Sequence, residues 1–239
     1  MIKINPHVSV DCVIFGFDDK KINVLLIEKE KTQDEISNSH TLKLPGNLIL
    51  ENEDLDASAY RTLKELTGLD KIFLKQFHVF GSPNRLAHEE DLNWLKITSK
   101  IPVERVVTIA YYSLIKLHES NQTDKTIWLP VDELPDLVFD HNLIVRKALE
   151  TLQKEVRTEP VVFELLPHKF TLRKLQNIYE AILGKTLDNR NFRKKLLPLK
   201  FLININEKET GVNHKPALLY KFDKKLYLKH RKEINGFYL

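Results

Sequence analysis

Residues 45–69, PGNLILENEDLDASAYRTLKELTGL, constrain the fold more than any other stretch of the chain. A short apolar segment leads into an acidic turn, and a helix is predicted after the turn because Leu55, Ala59 and Leu63 recur at helical spacing. Gly68 is placed to end this helix as its C-cap. The apolar spacing alone would also fit an ordinary amphipathic helix. The flanking sequences PGN and TGL are therefore needed to identify the motif.

With these flanks the stretch resembles the Nudix box, the strand–loop–helix motif of pyrophosphate hydrolases. When the motif is aligned on Arg61 and Gly68, Glu53 takes the place of its isolated glutamate and Asn47 replaces its first glycine. The resemblance implies a Nudix-like fold for the first part of the chain.

The chemistry of the box is incomplete. Thr62 and Leu66 stand where two metal-binding glutamates of the motif belong, so Glu65 is the one carboxylate left of three. Magnesium needs several hard oxygen ligands to support phosphoryl chemistry, and a lone glutamate does not provide them. We therefore predict no catalytic residues, no metal site and no cofactor, in a protein that binds rather than hydrolyses. The alternative is an active Nudix pyrophosphohydrolase.

Composition places few other limits on the chain. Its single cysteine, Cys12, excludes an internal disulfide and a cysteine metal cluster. The N-terminus has no apolar signal-peptide core, and no apolar run reaches transmembrane length. These features predict a cytoplasmic protein without a membrane role.

Charge divides the chain into two unlike parts. Residues 1–154 carry 19 Lys and Arg against 24 Asp and Glu, a net charge of −5, whereas residues 155–239 carry 18 against 9, a net charge of +9. An acidic body joined to a basic tail favours a polyanionic partner for the tail. A lysine-rich but otherwise ordinary surface is the alternative.

The first part alternates short apolar runs with turns, which predicts a mixed sheet with helices on its faces. A helix is predicted over residues 140–154. The predicted strands are 8–15, 22–27, 40–44, 72–80, 106–117 and 126–129. The first two form a hairpin around the turn at 18–21, and residues 31–40 are polar and predicted to be a loop.

The second part has the order of a winged helix-turn-helix. A helix capped by Thr171 reaches Leu183, Gly184 breaks it, and a short basic helix begins at Asp188. Strands at 201–205 and 217–222 then enclose a polar tip, which predicts the wing.

Basic and amide side chains cluster on the second helix of this motif. Arg and Asn read base edges bidentately in the major groove, whereas Lys suits phosphates. A solvated charged helix, or an RNA-binding or architectural module, would carry similar residues. The predicted DNA-binding residues are Arg173, Lys185, Asn189, Arg190, Asn191, Arg193, Lys194, Lys208, His214 and Lys215.

The stretch FTLRKLQNIYEAILGKTLDNRNFRKKLL at 170–197 is similar to the C-terminal domain of the NrtR-like Nudix-related transcriptional regulators. GSPNR at 81–85 and RVVTIAYYSLI at 105–115 resemble sensor segments of that family. The resemblance implies a dimeric regulator, usually a repressor, that binds a double-stranded DNA operator and responds to a small metabolite. Among its branches, which sense ADP-ribose or sugars, the chain most resembles the arabinose-responsive AraR branch of Bacteroides-type bacteria.

We expect a neutral sugar effector, L-arabinose, because the long loop after residue 85 contains the acidic run 88–91, which would repel a pyrophosphate. The predicted effector-binding residues are Lys43, Asn47, Asp91, Asn93, Trp94 and Tyr111. Trp94 is equally consistent with a core anchor and Lys43 with an exposed strand residue. The alternative is an ADP-ribose-responsive regulator of NAD metabolism.

The sequence thus predicts an α+β protein in which a Nudix-like mixed-sheet α/β/α sandwich precedes a winged helix-turn-helix domain. The predicted effector-binding domain spans residues 1–140, a connecting helix spans 141–154, and the DNA-binding domain spans 155–239.

Overall fold

The structure, a computed structural model, describes residues 3–30, 41–86, 88–117, 126–213 and 215–230. The chain forms two compact units that divide between Ala148 and Leu149, and the short segment Asp19–Lys21 groups with the second unit. This boundary lies inside a helix, α3, which spans His141–Glu155. None of the helices in these described ranges is long and apolar enough to cross a membrane.

A mixed seven-stranded sheet organises the first unit, as predicted. Its central strand β1 pairs in parallel with β6 and antiparallel with β2 and β4. Strand β3 and strand β7 both pair with β2, and β5 forms the edge beyond β6. The strands are β1 (Ile4–Phe17), β2 (Ile22–Glu28), β3 (Leu42–Lys43), β4 (Gly46–Leu50), β5 (Lys75–Phe80), β6 (Val107–Lys116) and β7 (Thr126–Pro130).

Alternation along β1 gives the sheet two different faces. Val10 and Cys12 point into an apolar core that also buries Ala59 and Leu63 of the box helix, α1 (Leu55–Thr67). Between them, Asp11 points to the opposite face, where a cavity lies. A helix that the sequence did not predict, α2 (Glu89–Ser99), contributes to that cavity together with the start of α3.

The box helix forms for the reasons its sequence indicates. Asp54 caps its N-terminus by accepting a hydrogen bond from the Ala57 backbone N–H at 2.7 Å. Gly68 ends it in the left-handed conformation, with φ at 75°.

The second unit contains the predicted winged helix-turn-helix. A three-stranded sheet has the order β8–β10–β9, and α4 and α5 form the helix pair. Beyond the prediction, a 3₁₀ helix at Val161–Leu165 precedes the motif and α6 (Lys224–His230) follows it. The remaining elements are β8 (Phe170–Thr171), α4 (Leu172–Leu183), α5 (Asn189–Leu196), β9 (Leu202–Lys208) and β10 (Leu218–Phe222).

Aromatic rings fill the core of this unit. Phe163 stacks on Phe222 with ring centroids 4.4 Å apart, and Phe201 contacts both rings edge to face. Tyr227 of α6 packs on Phe201 and donates a hydrogen bond to Glu159 at 2.8 Å. These contacts anchor the wing and α6 to one core.

Candidate functional site

The cavity of the first unit has a volume of about 610 Å³, which is within the range of about 300–1,000 Å³ typical of small-molecule sites. Residues from β1, β4, α2 and the start of α3 line it, together with the segment that ends β2. The cavity therefore draws on segments that are far apart in the sequence.

An ionic cluster of Asp11, Arg85 and His141 forms the cavity floor, and all three side chains are almost completely buried. The Arg85 guanidinium donates to Asp140 at 3.0 and 3.3 Å and lies 3.6 Å from the Asp11 carboxylate. Thr108 donates to the same carboxylate at 2.6 Å. Each buried charge thus has a partner of opposite sign or a hydrogen-bond donor.

The tautomer of His141 follows from its contacts. Its Nδ1 accepts a hydrogen bond from the Leu44 backbone N–H at 2.9 Å, so its proton lies on Nε2, 3.5 Å from Asp11 Oδ1. Burial raises the pKa of Asp11, but the opposing effects of His141, Arg85 and Thr108 are larger, and the pKa lies below its ordinary value. Asp11 is consequently a fixed carboxylate.

Gly46 is required beside this cluster. It pairs with Asp11 across β1 and β4, and a Cβ atom at Gly46 would lie 1.8 Å from Asp11 Oδ1. Any side chain at residue 46 would displace the carboxylate on which the floor is built. The glycine of PGN is therefore explained by close approach rather than by a turn.

Aromatic rings and lysines form the cavity wall. The ring of Trp94 lies 5.5 Å from Lys43 Nζ and 5.6 Å from Lys29 Nζ, and its indole N–H donates to the Glu30 carbonyl at 2.9 Å. Phe139 adjoins Trp94, with ring centroids 6.1 Å apart.

Phe139 adopts an unusual backbone conformation for a bulky residue, with φ at +58°. Its backbone N–H donates to the buried Asp91 carboxylate at 2.9 Å. Asp91 of α2 thereby holds Phe139 in place and is itself a supporting residue of the wall.

Three of the six predicted effector-binding residues line the cavity: Lys43, Asn47 and Trp94. The other three do not. Asp91 is buried against Phe139, and Asn93 lies on the exposed side of α2. Tyr111 faces the opposite side of the sheet, where its hydroxyl donates to Asp56 at 2.6 Å. For Tyr111 the prediction placed the side chain on the wrong face of β6.

The remnant of the box is held by one arginine. Arg61 donates to both oxygens of Glu53, at 2.5 and 2.8 Å, and to Glu65 at 3.0 Å. The charge of Glu65 is therefore balanced within the helix, and Thr62 is fully buried. In the described ranges, no group of three or more His, Cys, Asp or Glu residues is arranged to hold a metal ion.

In the second unit, hydrogen bonds fix the turn between α4 and α5. The buried Gln176 side chain donates to the Leu187 carbonyl at 2.8 Å and to Glu180 at 2.9 Å, while Glu180 accepts from the Leu187 N–H. Asp188 then caps α5 by accepting from the Asn191 N–H at 2.8 Å. The sequence interpretation did not include Gln176 or Glu180.

The orientation of α5 separates its apolar and polar residues. Phe192 and Leu196 are buried, with Phe192 edge to face against Tyr179. The exposed residues include all five predicted on this helix, Asn189, Arg190, Asn191, Arg193 and Lys194. Arg173, Lys185, Lys208 and Lys215 are also exposed, and His214 lies outside the described residues. An accessible basic helix next to a β-hairpin is the geometry of DNA-reading winged helices.

Together, the two units define a class of protein in which a domain with a cavity of small-molecule size is joined in one chain to a winged-helix domain. Residues 5–152 match the NUDIX domain family, and residues 162–222 match the NrtR DNA-binding winged helix domain. The chain belongs to the Nudix family and, within it, to the NrtR-like proteins that combine these two domains.

Known proteins with both parts are similar over nearly the whole chain. The ADPR responsive transcriptional repressor NtrR of Acinetobacter baylyi is 28% identical, with 91% of this chain and 82% of that protein covered. Shewanella oneidensis NrtR, crystallised with a 27mer DNA, is 26% identical with a TM-score of 0.70, over 92% of this chain and 94% of that chain. A MutT/nudix family protein from Enterococcus faecalis shares the fold with a TM-score of 0.61 at 23% identity, over 92% and 87% of the two chains.

Proposed function

We propose that this protein is a transcriptional repressor that binds a double-stranded DNA operator as a homodimer and is released by a small effector bound in the cavity. The observation that carries the proposal is the joining of an NrtR-type DNA-binding winged helix to a Nudix fold whose box has Thr62 and Leu66 in place of two glutamates. The description of the Acinetobacter baylyi relative as a transcriptional repressor supports it.

The effector class best supported is ADP-ribose or a similar nucleoside diphosphate sugar. The Acinetobacter baylyi relative is described as responsive to ADPR. Lys29, Lys43 and Arg85 line the cavity, and Trp94 and Phe139 offer aromatic faces. The expectation of a neutral sugar relied on the acidic run 88–91, but none of these four residues lines the cavity, so the argument against a pyrophosphate loses its basis.

A neutral sugar such as L-arabinose is the second candidate, because one set of contacts favours it. Glu28, Glu30 and Glu65 also line the cavity, and carboxylates accept hydrogen bonds from sugar hydroxyls. Arg85 is already engaged by Asp140 and Asp11.

The function is tested on the full chain by calorimetry with ADP-ribose and with L-arabinose, followed by gel shifts on an operator fragment with each ligand. We expect one of them to bind and to release the DNA, because a ligand changes DNA affinity only by preferring one state. Specific DNA binding that responds to neither ligand would contradict both effector candidates. Absence of sequence preference in DNA binding would contradict the repressor function itself.

A further inference from the structure

Two lysines share one aromatic ring in the cavity wall. Lys43 approaches from β3 and Lys29 from the end of β2, each with its ammonium within 6 Å of the Trp94 ring centroid, at 5.5 and 5.6 Å. Both lysines and Trp94 are buried yet line the cavity. Burial of two like charges this close to one ring is costly unless an anion joins them.

The charges of these lysines are balanced unequally. Lys29 Nζ lies 4.0 Å from the Asp91 carboxylate. Lys43 Nζ donates to the neutral Gly46 carbonyl at 3.0 Å, and the carboxylates of Asp11 and Glu30 act on it electrostatically. Arg85, the third cation of the cavity, already contacts two carboxylates. Lys43 is thus the cavity cation whose charge a ligand can neutralise.

We propose that Lys43 and Lys29, held by Trp94, form a subsite for one phosphoryl or carboxylate group of the effector. The inference rests on the proposed function, since it assigns a ligand chemistry to the same cavity. Helix α2 contributes to the subsite, because it supplies the Trp94 ring that both lysines approach and the Asp91 carboxylate near Lys29.

Protonation of Lys43 gives this subsite a pH dependence. Burial lowers the pKa of Lys43, and the raising effects of Asp11 and Glu30 offset this only in part. A bound anion favours the ammonium form, so the affinity for an anionic ligand falls as pH rises through the pKa of the empty site. The charged and titratable groups around Lys43 are Asp11, Lys29, Glu30, Arg85, Asp91 and His141.

Fluorescence of Trp94 offers a direct binding signal. The chain has two tryptophans, so Trp128→Phe leaves Trp94 as the sole reporter. In that background, titrations with ADP-ribose, ribose 5-phosphate, L-arabonate and L-arabinose compare a diphosphate, a phosphate, a carboxylate and a neutral sugar. We expect an anionic probe to bind and to change the emission, and L-arabinose to bind at least about tenfold more weakly.

A second experiment removes the positive charge of Lys43 while keeping a side chain of similar volume. Lys43→Met is expected to weaken the anionic probe by about 10- to 100-fold and to abolish the pH dependence of its binding. Lys43→Gln, which retains a polar end, repeats the measurement in case the first variant does not fold. The matched control is Lys96→Met, a lysine of α2 that does not line the cavity, and this variant is expected to bind as the parent does.

Three outcomes separate the subsite from the proposed function. Probes that bind and release DNA, but equally well with Lys43→Met, overturn the subsite and leave the repressor function in place. L-arabinose binding as tightly as the anionic probes also overturns the subsite alone. No binding by any of the four probes overturns both the subsite and the two effector candidates.

Discussion

The cavity floor and the DNA-binding face both carry dense charge, but they use it in opposite ways. In the floor, Asp11, Arg85 and His141 are buried, and each side chain has fixed partners within the unit. On α5, the side chains of Arg190 and Lys194 are exposed to solvent, where they can attract an approaching polyanion. Buried charge of this kind is costly to disturb, whereas exposed charge is screened by salt and contributes little to folding. Substitutions in the floor are therefore expected to change stability, and substitutions on α5 to change DNA affinity.

The largest effect is expected from Asp11→Ala, which removes the carboxylate facing Arg85 and His141. Breaking a buried ion pair from one side costs about 3–5 kcal/mol. Urea unfolding of the full chain measures the change. The surface carboxylate Asp70, paired with Lys64, provides the control, and Asp70→Ala is expected to leave the unfolding midpoint almost unchanged. Equal urea unfolding midpoints for Asp11→Ala and Asp70→Ala would contradict the expectation that buried charge affects stability more than exposed charge does.

The same carboxylate predicts an acid sensitivity. The pKa of Asp11 is lower in the folded chain than in the unfolded chain, so its contribution to stability is complete above the ordinary aspartate pKa and is lost as pH falls. We expect the free energy of unfolding to decrease more steeply with acidification in the wild type than in Asp11→Asn. Parallel curves from urea unfolding at a series of acidic pH values would contradict this assignment.

On the DNA-binding face, the paired substitution Arg190→Ala with Arg193→Ala is expected to reduce operator affinity strongly while leaving unfolding unchanged. Each lost guanine contact is worth about 1–3 kcal/mol and relaxes specificity at its base. Gel shifts on an operator fragment and its single-base variants measure both effects. Arg146→Ala, an exposed arginine of α3, is the control. Unchanged operator affinity in the double variant would exclude α5 from the groove.

A smaller effect is expected from Lys208→Ala at the end of β9. A lysine that contacts phosphate weakens binding to all sequences alike, and its loss lowers the salt slope by about 1. Binding measured at several salt concentrations, on specific and on random DNA, provides both values. A loss confined to the specific fragment would instead assign Lys208 to base reading.

No measurable effect is expected from Glu65→Gln on hydrolysis, because we expect no turnover in the wild type. Arg61 balances the charge of Glu65, and Thr62 is buried where the box would need a ligand. Release of products from ADP-ribose with added magnesium or manganese is measured for the wild type and the variant. Turnover in the wild type that Glu65→Gln abolishes would show that the cavity retains catalysis.

Local patterns explain what the sequence predicted well. The box helix, the β1–β2 hairpin and the α4–α5 pair each depend on caps, turns and apolar periods within a few residues. The cavity does not depend on such local patterns. Its hydrogen bonds from Thr108 to Asp11 and from Leu44 to His141 each join residues that are 97 positions apart in the sequence. Partners at such separations have no periodic relation, so the ionic floor could not be found from one sequence.

Helix α2 was missed for a different reason. Its buried and exposed apolar residues do not form one stripe, since Trp94 is buried while Ile97 is 50% exposed. Its first turn also lacks a side-chain cap, because His88 makes no capping hydrogen bond. The segment therefore resembled an acidic loop, and the effector prediction placed Asp91 and Asn93 in the cavity because that loop was expected to line it.

The left-handed backbone at Phe139 has a consequence for how this cavity can change. A bulky residue in that conformation costs about 1–3 kcal/mol, which a glycine would avoid. The strain arises from the Cβ atom of Phe139, and the ring that this atom carries stands beside Trp94 and completes the aromatic wall. Phe139→Gly would therefore relieve the backbone strain and at the same time remove a ring from the cavity wall. Selection for a more stable fold and selection for ligand recognition consequently act against each other at this one residue.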